Sequence, residues 1–183
     1  MTAAVERDGA AQHALLSGDR KAARLAFAEA AQLYRESWDE APPSAYGRLV
    51  GMLKSSVLAG GGPSEAEYAR EALADADPQS VTAAYARALA ALILGEDGEA
   101  ETWARVMLGG NEAFGRTGEA IAALGARDPG RYEAALAAIV RDFEARTEHL
   151  TGVAIADTAL VLAMLAARRG MAASVESPVL PAL

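Results

Sequence analysis

Cysteine is absent from this sequence of 183 residues. Its absence excludes disulfides, thiolate catalysis and thiolate metal sites, and it gives no sign of an oxidising compartment. The N-terminal residues also lack a basic flank followed by an apolar run, which a secretory signal would need. The most apolar predicted helix, residues 152–167, is interrupted by Asp157 and is too short to cross a bilayer comfortably. We therefore expect a cytoplasmic protein with no membrane partner.

Aromatic side chains make up only 5% of the residues, although 52% of the residues are hydrophobic. The hydrophobic content comes mainly from alanine and leucine, which favour close-packed helices over sheets. The length suits one domain with its own core. The sequence therefore predicts an all-α fold, with a single helical domain over residues 1–170 and an extended tail over residues 171–183.

Basic residues are outnumbered, with 17 lysines and arginines against 25 aspartates and glutamates, for a net charge of −8. A chain of this charge repels phosphate backbones, and no stripe of lysine and arginine reverses the charge locally. We expect no nucleic-acid partner.

A helical hairpin at residues 17–30 is the unit that the chain repeats. Gly18 can adopt the positive φ that ends one helix, Asp19 can cap the next, and Ala23, Phe27 and Ala30 follow on one helix face. Alanines recur downstream at 34-residue intervals, at Ala66, Ala100 and Ala134. This interval is a known period of helical repeats. Further helix N-caps are predicted at Ser44, Ser64, Ser80 and Thr151.

The hairpins resemble tetratricopeptide repeats, which combine a small residue in the first helix, a Gly-Asp-like turn, and alanine, a bulky aromatic and alanine in the second. The best match is Ala11, Gly18-Asp19, Ala23, Phe27 and Ala30. The second unit departs most, since Lys54 stands at the small position. The resemblance implies a right-handed array of about four hairpins, an α-solenoid, closed by a buried C-terminal helix.

The same resemblance implies a non-enzymatic module that binds a protein or peptide, because the first helix of each hairpin lines a groove in that family. The groove-lining positions carry little charge, so a bound segment would be extended and moderately apolar. The implied partner-binding residues are Arg48, Met52, Thr82, Tyr85, Leu89, Thr117 and Leu124.

The segment from His149 to Gly170 resembles the closing part of helical actinobacterial proteins grouped as toxin-immunity proteins. That resemblance implies an alternative role, which is neutralising a partner toxin. It identifies no individual site residue.

Catalytic and metal-binding patterns are scarce. His149 has no second ligand at helical spacing and His13 has no nearby nucleophile, so we expect no metal site and no cofactor. Asp157 is unusual because it opens an otherwise apolar helix, and a buried carboxylate there would need an ion pair, a hydrogen bond or a ligand. An enzyme with a site near His149 and Asp157 is therefore a further alternative.

The proline-stiffened residues 177–183 form an extended, moderately apolar segment of the kind that such a groove would bind. Two outcomes are open for this tail. It lies against the helices of its own chain, or of a second copy in a homodimer, or it remains a free end.

Overall fold

Helices account for all the regular secondary structure in residues 1–181, which are the residues that the computed structural model describes. The all-α prediction is therefore confirmed for this part of the chain. The nine helices found there are α1 (Thr2–Leu16), α2 (Arg20–Asp39), α3 (Gly47–Ala59), α4 (Pro63–Ala72), α5 (Val81–Leu94), α6 (Asp97–Met107), α7 (Glu112–Gly125), α8 (Pro129–Glu144) and α9 (Asp157–Ala167).

Each of the helices α1 to α8 packs against the next one along the chain. The odd-numbered helices α3, α5 and α7 also pack against one another in turn, and α9 lies against α3, α7 and α8. This arrangement is consistent with a helical array. One apolar core runs through it from Ala4 in α1 to Val179 in the tail.

The fourth residue of the even-numbered helices holds a common buried position. It is Ala23 in α2, Ala66 in α4 and Ala100 in α6, each at most 1% exposed. In α8 the position belongs to Tyr132, whereas Ala134 is exposed, so the predicted alanine of the fourth unit is wrong. The reason is that α8 begins at Pro129, which makes Tyr132 and not Ala134 its fourth residue, since proline is well suited to the first turn of a helix.

Side-chain caps explain where several helices begin. Asp19 accepts a hydrogen bond from the backbone N–H of Ala22, and Ser80 accepts one from Ala83, as predicted. Ser44 and Ser64 do not cap, because α3 begins only at Gly47 and α4 begins at Pro63 behind Gly62. Gly18 has a φ of 83°, which confirms its role in the first turn.

The last helix starts later than the sequence predicts. Residues 153–156 are not helical, and α9 begins at Asp157, so Thr151 is not its N-cap. Seven of its eleven residues are buried, which confirms a buried C-terminal helix. The helix α9 lies against α3 and α7, two of the helices that carry the predicted groove residues.

The described part of the tail lies against the helices of its own chain. Val179 is 7% exposed and its carbonyl accepts a hydrogen bond of 2.7 Å from the Ala156 amide. The Ser177 hydroxyl donates to Glu144 of α8 at 2.6 Å. Residues 182 and 183 of the predicted tail lie outside the described residues.

Among residues 1–181, no helix combines the length and the apolar character needed to cross a membrane.

Candidate functional site

A cleft of about 300 Å³ opens where α1, α3, α5, α7 and α8 converge on the loop before α9. Its inner end is lined by the polar residues Asp8, Gln12, Tyr34, Lys54, Asp157 and Thr158. Its walls are mainly apolar and include Val50, Phe114, Ile139, Phe143, Val153 and Ile155. Exposed residues such as Leu150 and Asn111 stand at its mouth, so the cleft is open to solvent.

An ion pair between Lys54 and Asp157 joins α3 to the first residue of α9 at the inner end of the cleft. The Lys54 ammonium also donates to the Thr158 hydroxyl at 3.2 Å, and Asp157 accepts from the Thr158 amide at 2.7 Å. Burial lowers the pKa of Lys54, but the neighbouring groups Asp157, Tyr85 and Asp8 together outweigh burial and raise that pKa above its usual value. Lys54 is therefore a permanent cation near neutral pH.

Asp8 on α1 has no such cationic partner, although it is only 8% exposed. It accepts hydrogen bonds from the neutral groups of Tyr34, at 3.4 Å, and Gln12, at 3.3 Å. Burial is the main cause that raises the pKa of Asp8 to about 6, and repulsion from Asp157 adds to it, while Lys54 acts in the opposite direction. Near neutral pH, the two carboxylates and one ammonium leave this end of the cleft with a net negative charge.

Two buried polar atoms in the cleft have no hydrogen-bond partner among residues 1–181. One is the hydroxyl of Tyr85, which faces the Thr158 hydroxyl without completing a hydrogen bond of normal geometry. The other is Nδ1 of His149. Unpaired buried polar atoms are rare in folded proteins, because each one loses its hydration without replacement. Both atoms could therefore be satisfied by a molecule in the cleft.

Four aromatic rings line the same cleft, although aromatic residues are scarce in this chain. They belong to Tyr34, Tyr85, Phe114 and Phe143. Tyr85 and Phe114 meet edge to face with ring centroids 6.2 Å apart, and the His149 ring stacks on Phe143 at the same separation. The Arg146 guanidinium lies over Phe143, 3.8 Å from the ring centroid, so one of these rings already faces a cation.

The charged side chains of α7 and α8 beside the cleft are paired with one another. Asp142 of α8 pairs with Arg116 at 2.6 Å and with Arg146 at 2.5 Å, and Arg116 also reaches Glu112 at 3.2 Å. Arg116, Asp142 and Arg146 line the cleft together with Met1, whereas Glu112 lies outside the lining. Asp157 and Asp142 each have an ion-pair partner, whereas Asp8 has none within residues 1–181.

The loop over residues 145–156 is fixed to α1 beside Asp8. The Thr151 hydroxyl donates to Gln12 at 2.6 Å, and Gln12 in turn donates to Asp8. Gly9 allows this close approach, since a Cβ atom there would lie 3.0 Å from the carbonyl oxygen of Thr151. The orientation of Asp8 thus depends on a contact between the two ends of the chain.

The structure brings together only part of the predicted partner-binding set. Tyr85 and Thr117 line the cleft. Met52, Leu89 and Leu124 are fully buried in the core, so a partner could not reach them in this structure. Arg48 donates to the carbonyl of Ser37, and neither Arg48 nor Thr82 lines the cleft.

The other predicted candidates are distributed differently. Asp157 is partly buried and has an ion pair, and it lines the cleft together with His149. Asp8 was missed by sequence reasoning, because nothing in its local pattern distinguishes it from a surface carboxylate. Lys54 was noted in the sequence only because it stands where the repeat pattern expects a small residue. Within residues 1–181, no group of three or more potential metal ligands comes together.

Comparisons with protein-family models, with curated proteins and with solved structures find no match for this chain. The functional argument therefore rests on the cleft and its chemistry.

Proposed function

We propose that this protein is a non-enzymatic binding module, built on tetratricopeptide-like hairpins, which captures a segment of a partner protein in the cleft. The observation that carries the proposal is the pair of unsatisfied buried polar atoms, on Tyr85 and His149, inside an otherwise apolar cleft. Pockets that bind ligands combine apolar walls with a few polar groups in this way.

The size of the cleft limits what enters it. Its volume of about 300 Å³ is at the lower end of the range of about 300–1,000 Å³ that is typical of ligand pockets. We therefore infer that it holds one anchoring side chain of the segment, while the rest lies across the rim. Anchors of this kind supply most of the affinity in many interfaces.

Two exposed glycines offer a matched pair of variants for testing this function. Gly47 lies at the rim of the cleft in the first turn of α3, and Gly98 lies away from the cleft in the first turn of α6. A Cβ atom meets nothing within 4 Å at either position, so both sites accept a side chain without strain. Gly47→Trp should obstruct the cleft, whereas Gly98→Trp should only alter a remote surface.

The experiment is selection from a random peptide library, with binding of the enriched peptides measured by calorimetry. We expect peptides that bind the wild-type protein and the Gly98→Trp variant equally, and the Gly47→Trp variant at least about tenfold more weakly, which corresponds to about 1.4 kcal/mol. No enriched peptide, or peptides that bind all three proteins alike, would contradict the proposal.

An enzyme is the second candidate, because His149, Asp157 and the raised pKa of Asp8 occur in one cleft. The nearest approach to a nucleophile and base is the Thr158 hydroxyl beside Lys54. The ion pair with Asp157 keeps Lys54 protonated, so it cannot accept the hydroxyl proton. We therefore rank catalysis second, and a substrate turned over by the wild type but not by Asp8→Asn would reverse the order.

A further inference from the structure

The occupant of the cleft can be specified more closely from the groups that line it, on the premise of the proposed function. We propose that the cleft binds an alkylammonium group, with Asp8 as its counter-ion and Tyr85 as a second acceptor, so that the anchoring side chain of the bound segment is a lysine. Four observations carry this inference.

The first observation is the unbalanced charge at the inner end. Asp8 and Asp157 contribute two carboxylates, and Lys54 supplies a single ammonium that is already paired with Asp157. Asp8 receives only hydrogen bonds from uncharged groups. A guest cation would supply the missing positive charge, whereas a guest carboxylate would add a third anion to a buried site.

The second observation is the unsatisfied hydroxyl of Tyr85. The residue is only 9% exposed, lines the cleft and has no hydrogen-bond partner. An ammonium carries three donors and no acceptor, so it can donate to the Asp8 carboxylate and still donate to a hydroxyl oxygen or to a ring nitrogen. Nδ1 of His149 is a second buried atom of the cleft that has no hydrogen-bond partner among the described residues.

The third observation is the aromatic lining. The rings of Tyr34, Tyr85, Phe114 and Phe143 surround a space that also contains carboxylates. Aromatic faces attract cations, and cages of such rings recognise ammonium groups. The contact of Arg146 with Phe143 is a cation–ring contact of this kind within the chain itself.

The fourth observation is the apolar part of the lining. Val50, Ile139, Val153 and Ile155 line the same cleft as the polar groups and can contact an aliphatic stem. A lysine side chain combines these two kinds of group, since an apolar stem of four carbons precedes the charged tip.

Ionisation of Asp8 should therefore control the affinity for an alkylammonium group. The groups that face Asp8 are Gln12 on its own helix, Tyr34 on α2, Lys54 on α3 and Asp157 at the start of α9. Of these, Lys54 and Asp157 form an ion pair, and burial raises the pKa of Tyr34 far above neutral pH. His149 and the N-terminal residue Met1 also line the cleft, so the Asp8→Asn variant is needed to assign a pH effect to Asp8.

The test uses three small probes of equal length, which are pentylammonium, pentanol and pentanoate, with binding followed by NMR shifts of the cleft resonances. With a pKa of about 6, the ionised fraction of Asp8 rises from about one tenth near pH 5 to about nine tenths near pH 7. Pentylammonium should therefore bind roughly tenfold more tightly near pH 7 than near pH 5, since the probe itself stays charged throughout. Pentanol should show no such ratio, and pentanoate should bind most weakly.

Three variants make the test specific. Asp8→Asn keeps the shape and the acceptor, and should abolish the pH ratio and weaken pentylammonium binding near pH 7 by about tenfold. Tyr85→Phe should weaken binding several-fold and leave the pH ratio in place. Glu29→Gln removes an exposed carboxylate outside the cleft and should change nothing. Circular dichroism of each variant verifies that it is folded.

The outcomes also separate this inference from the proposed function. Failure of pentylammonium to bind, equal binding of pentanoate, or a pH ratio that survives in Asp8→Asn would overturn the alkylammonium assignment. Peptides that are sensitive to Gly47→Trp would still support a segment-binding cleft. If pentylammonium binds as expected but no peptide is found, the alkylammonium chemistry stands and the proposed function falls. A blocked lysine amide that binds more tightly than pentylammonium would favour a protein segment over a free amine.

Discussion

Lys54 of α3 and Asp157 at the start of α9 form an ion pair that connects the middle of the chain to its last helix. Their side chains are 16% and 19% exposed, so the pair is largely removed from water. Moving both charges of such a pair out of water costs free energy, which their attraction offsets. Removing one partner leaves the other charge without this compensation. Asp157 would then also repel Asp8 without opposition from Lys54.

Replacing Lys54 by methionine should therefore destabilise the fold by roughly 3 kcal/mol. The double variant Lys54→Met with Asp157→Asn should recover part of this loss, because the unpaired charge is gone. Urea denaturation of the single and double variants measures both effects. Arg105→Met is the control, since its pair with Glu101 is exposed and should contribute at most about 1 kcal/mol. Equal losses for Lys54 and Arg105 would contradict this account.

The sequence predicted the class of fold because local signals determine helices. Asp19 and Ser80 cap where they were expected to, and Phe27 is buried at 2% exposure. The starts of α8 and α9 were missed because each depends on an interaction that outweighs the local helix signal. The helix α8 begins at Pro129, because proline fits the first helical turn. Residues 153–156 are not helical, and the Ala156 amide donates a hydrogen bond to the carbonyl of Val179 in the tail.

The candidate site could be predicted only in part. The need of Asp157 for a partner follows from its apolar surroundings, but its pairing with Lys54 is a long-range contact that no local pattern encodes. Asp8 lies beside a close contact between Gly9 of α1 and Thr151 in the loop before α9. The two residues are far apart in sequence, so no local pattern predicts that contact. Of the predicted groove residues, Tyr85 and Thr117 line the cleft, whereas Met52, Leu89 and Leu124 are buried in the core, where long-range packing and not the repeat pattern decides the exposure of a side chain.

Stability should depend on pH through Asp8. Its pKa is about 6 in the folded protein against 3.8 in a model compound, so the folded state binds the proton more tightly than the unfolded state. Ionisation of Asp8 lowers the free energy of unfolding, because the folded state disfavours the charged form. This loss is absent below the unfolded pKa and grows between the two pKa values. Above about pH 6 it approaches its full size of about 3 kcal/mol. Asp8→Asn should therefore be more stable than the wild type at pH 7.

Urea titrations of both proteins across this pH range measure the difference. We expect the two stability curves to approach each other below about pH 4 and to separate as the pH rises. Curves that remain parallel would show that Asp8 is not buried as an ionisable group.

The buried side chain of Phe27 tests the packing of the first hairpin. It is 2% exposed, so Phe27→Ala should cost about 3–5 kcal/mol through lost burial and the cavity that remains. Leu25→Ala on the same helix is the control, because Leu25 is 59% exposed. Thermal denaturation of the two variants should separate them clearly, and equal melting temperatures would place Phe27 outside the core.

Two glycines of α7 should respond oppositely to alanine. A Cβ atom at Gly115 meets nothing within 4 Å, so Gly115→Ala should stabilise the protein by up to about 1 kcal/mol through helix propensity. At Gly125 the Cβ atom would lie 2.7 Å from the carbonyl oxygen of Asp97 on α6, so Gly125→Ala should destabilise it. Chemical denaturation decides the sign of each change. A gain at both positions would mean that α6 and α7 are not in such close contact.

Truncation of the tail tests whether it stabilises its own chain and whether it takes part in a homodimer. Truncation after Ser174 removes Val179, which is buried, together with the hydrogen bond from the Ala156 amide and the contact of Ser177 with Glu144. Loss of one buried valine costs about 1.5–3 kcal/mol, and an amide left unpaired adds to the loss. We expect a lower melting temperature and unchanged elution, because these contacts lie within one chain. Truncation after Pro181 is the control, since it retains all of these contacts. A stability unchanged by the longer truncation would identify the tail as a free end, and a changed elution would favour the homodimer, in which the tail binds a second copy.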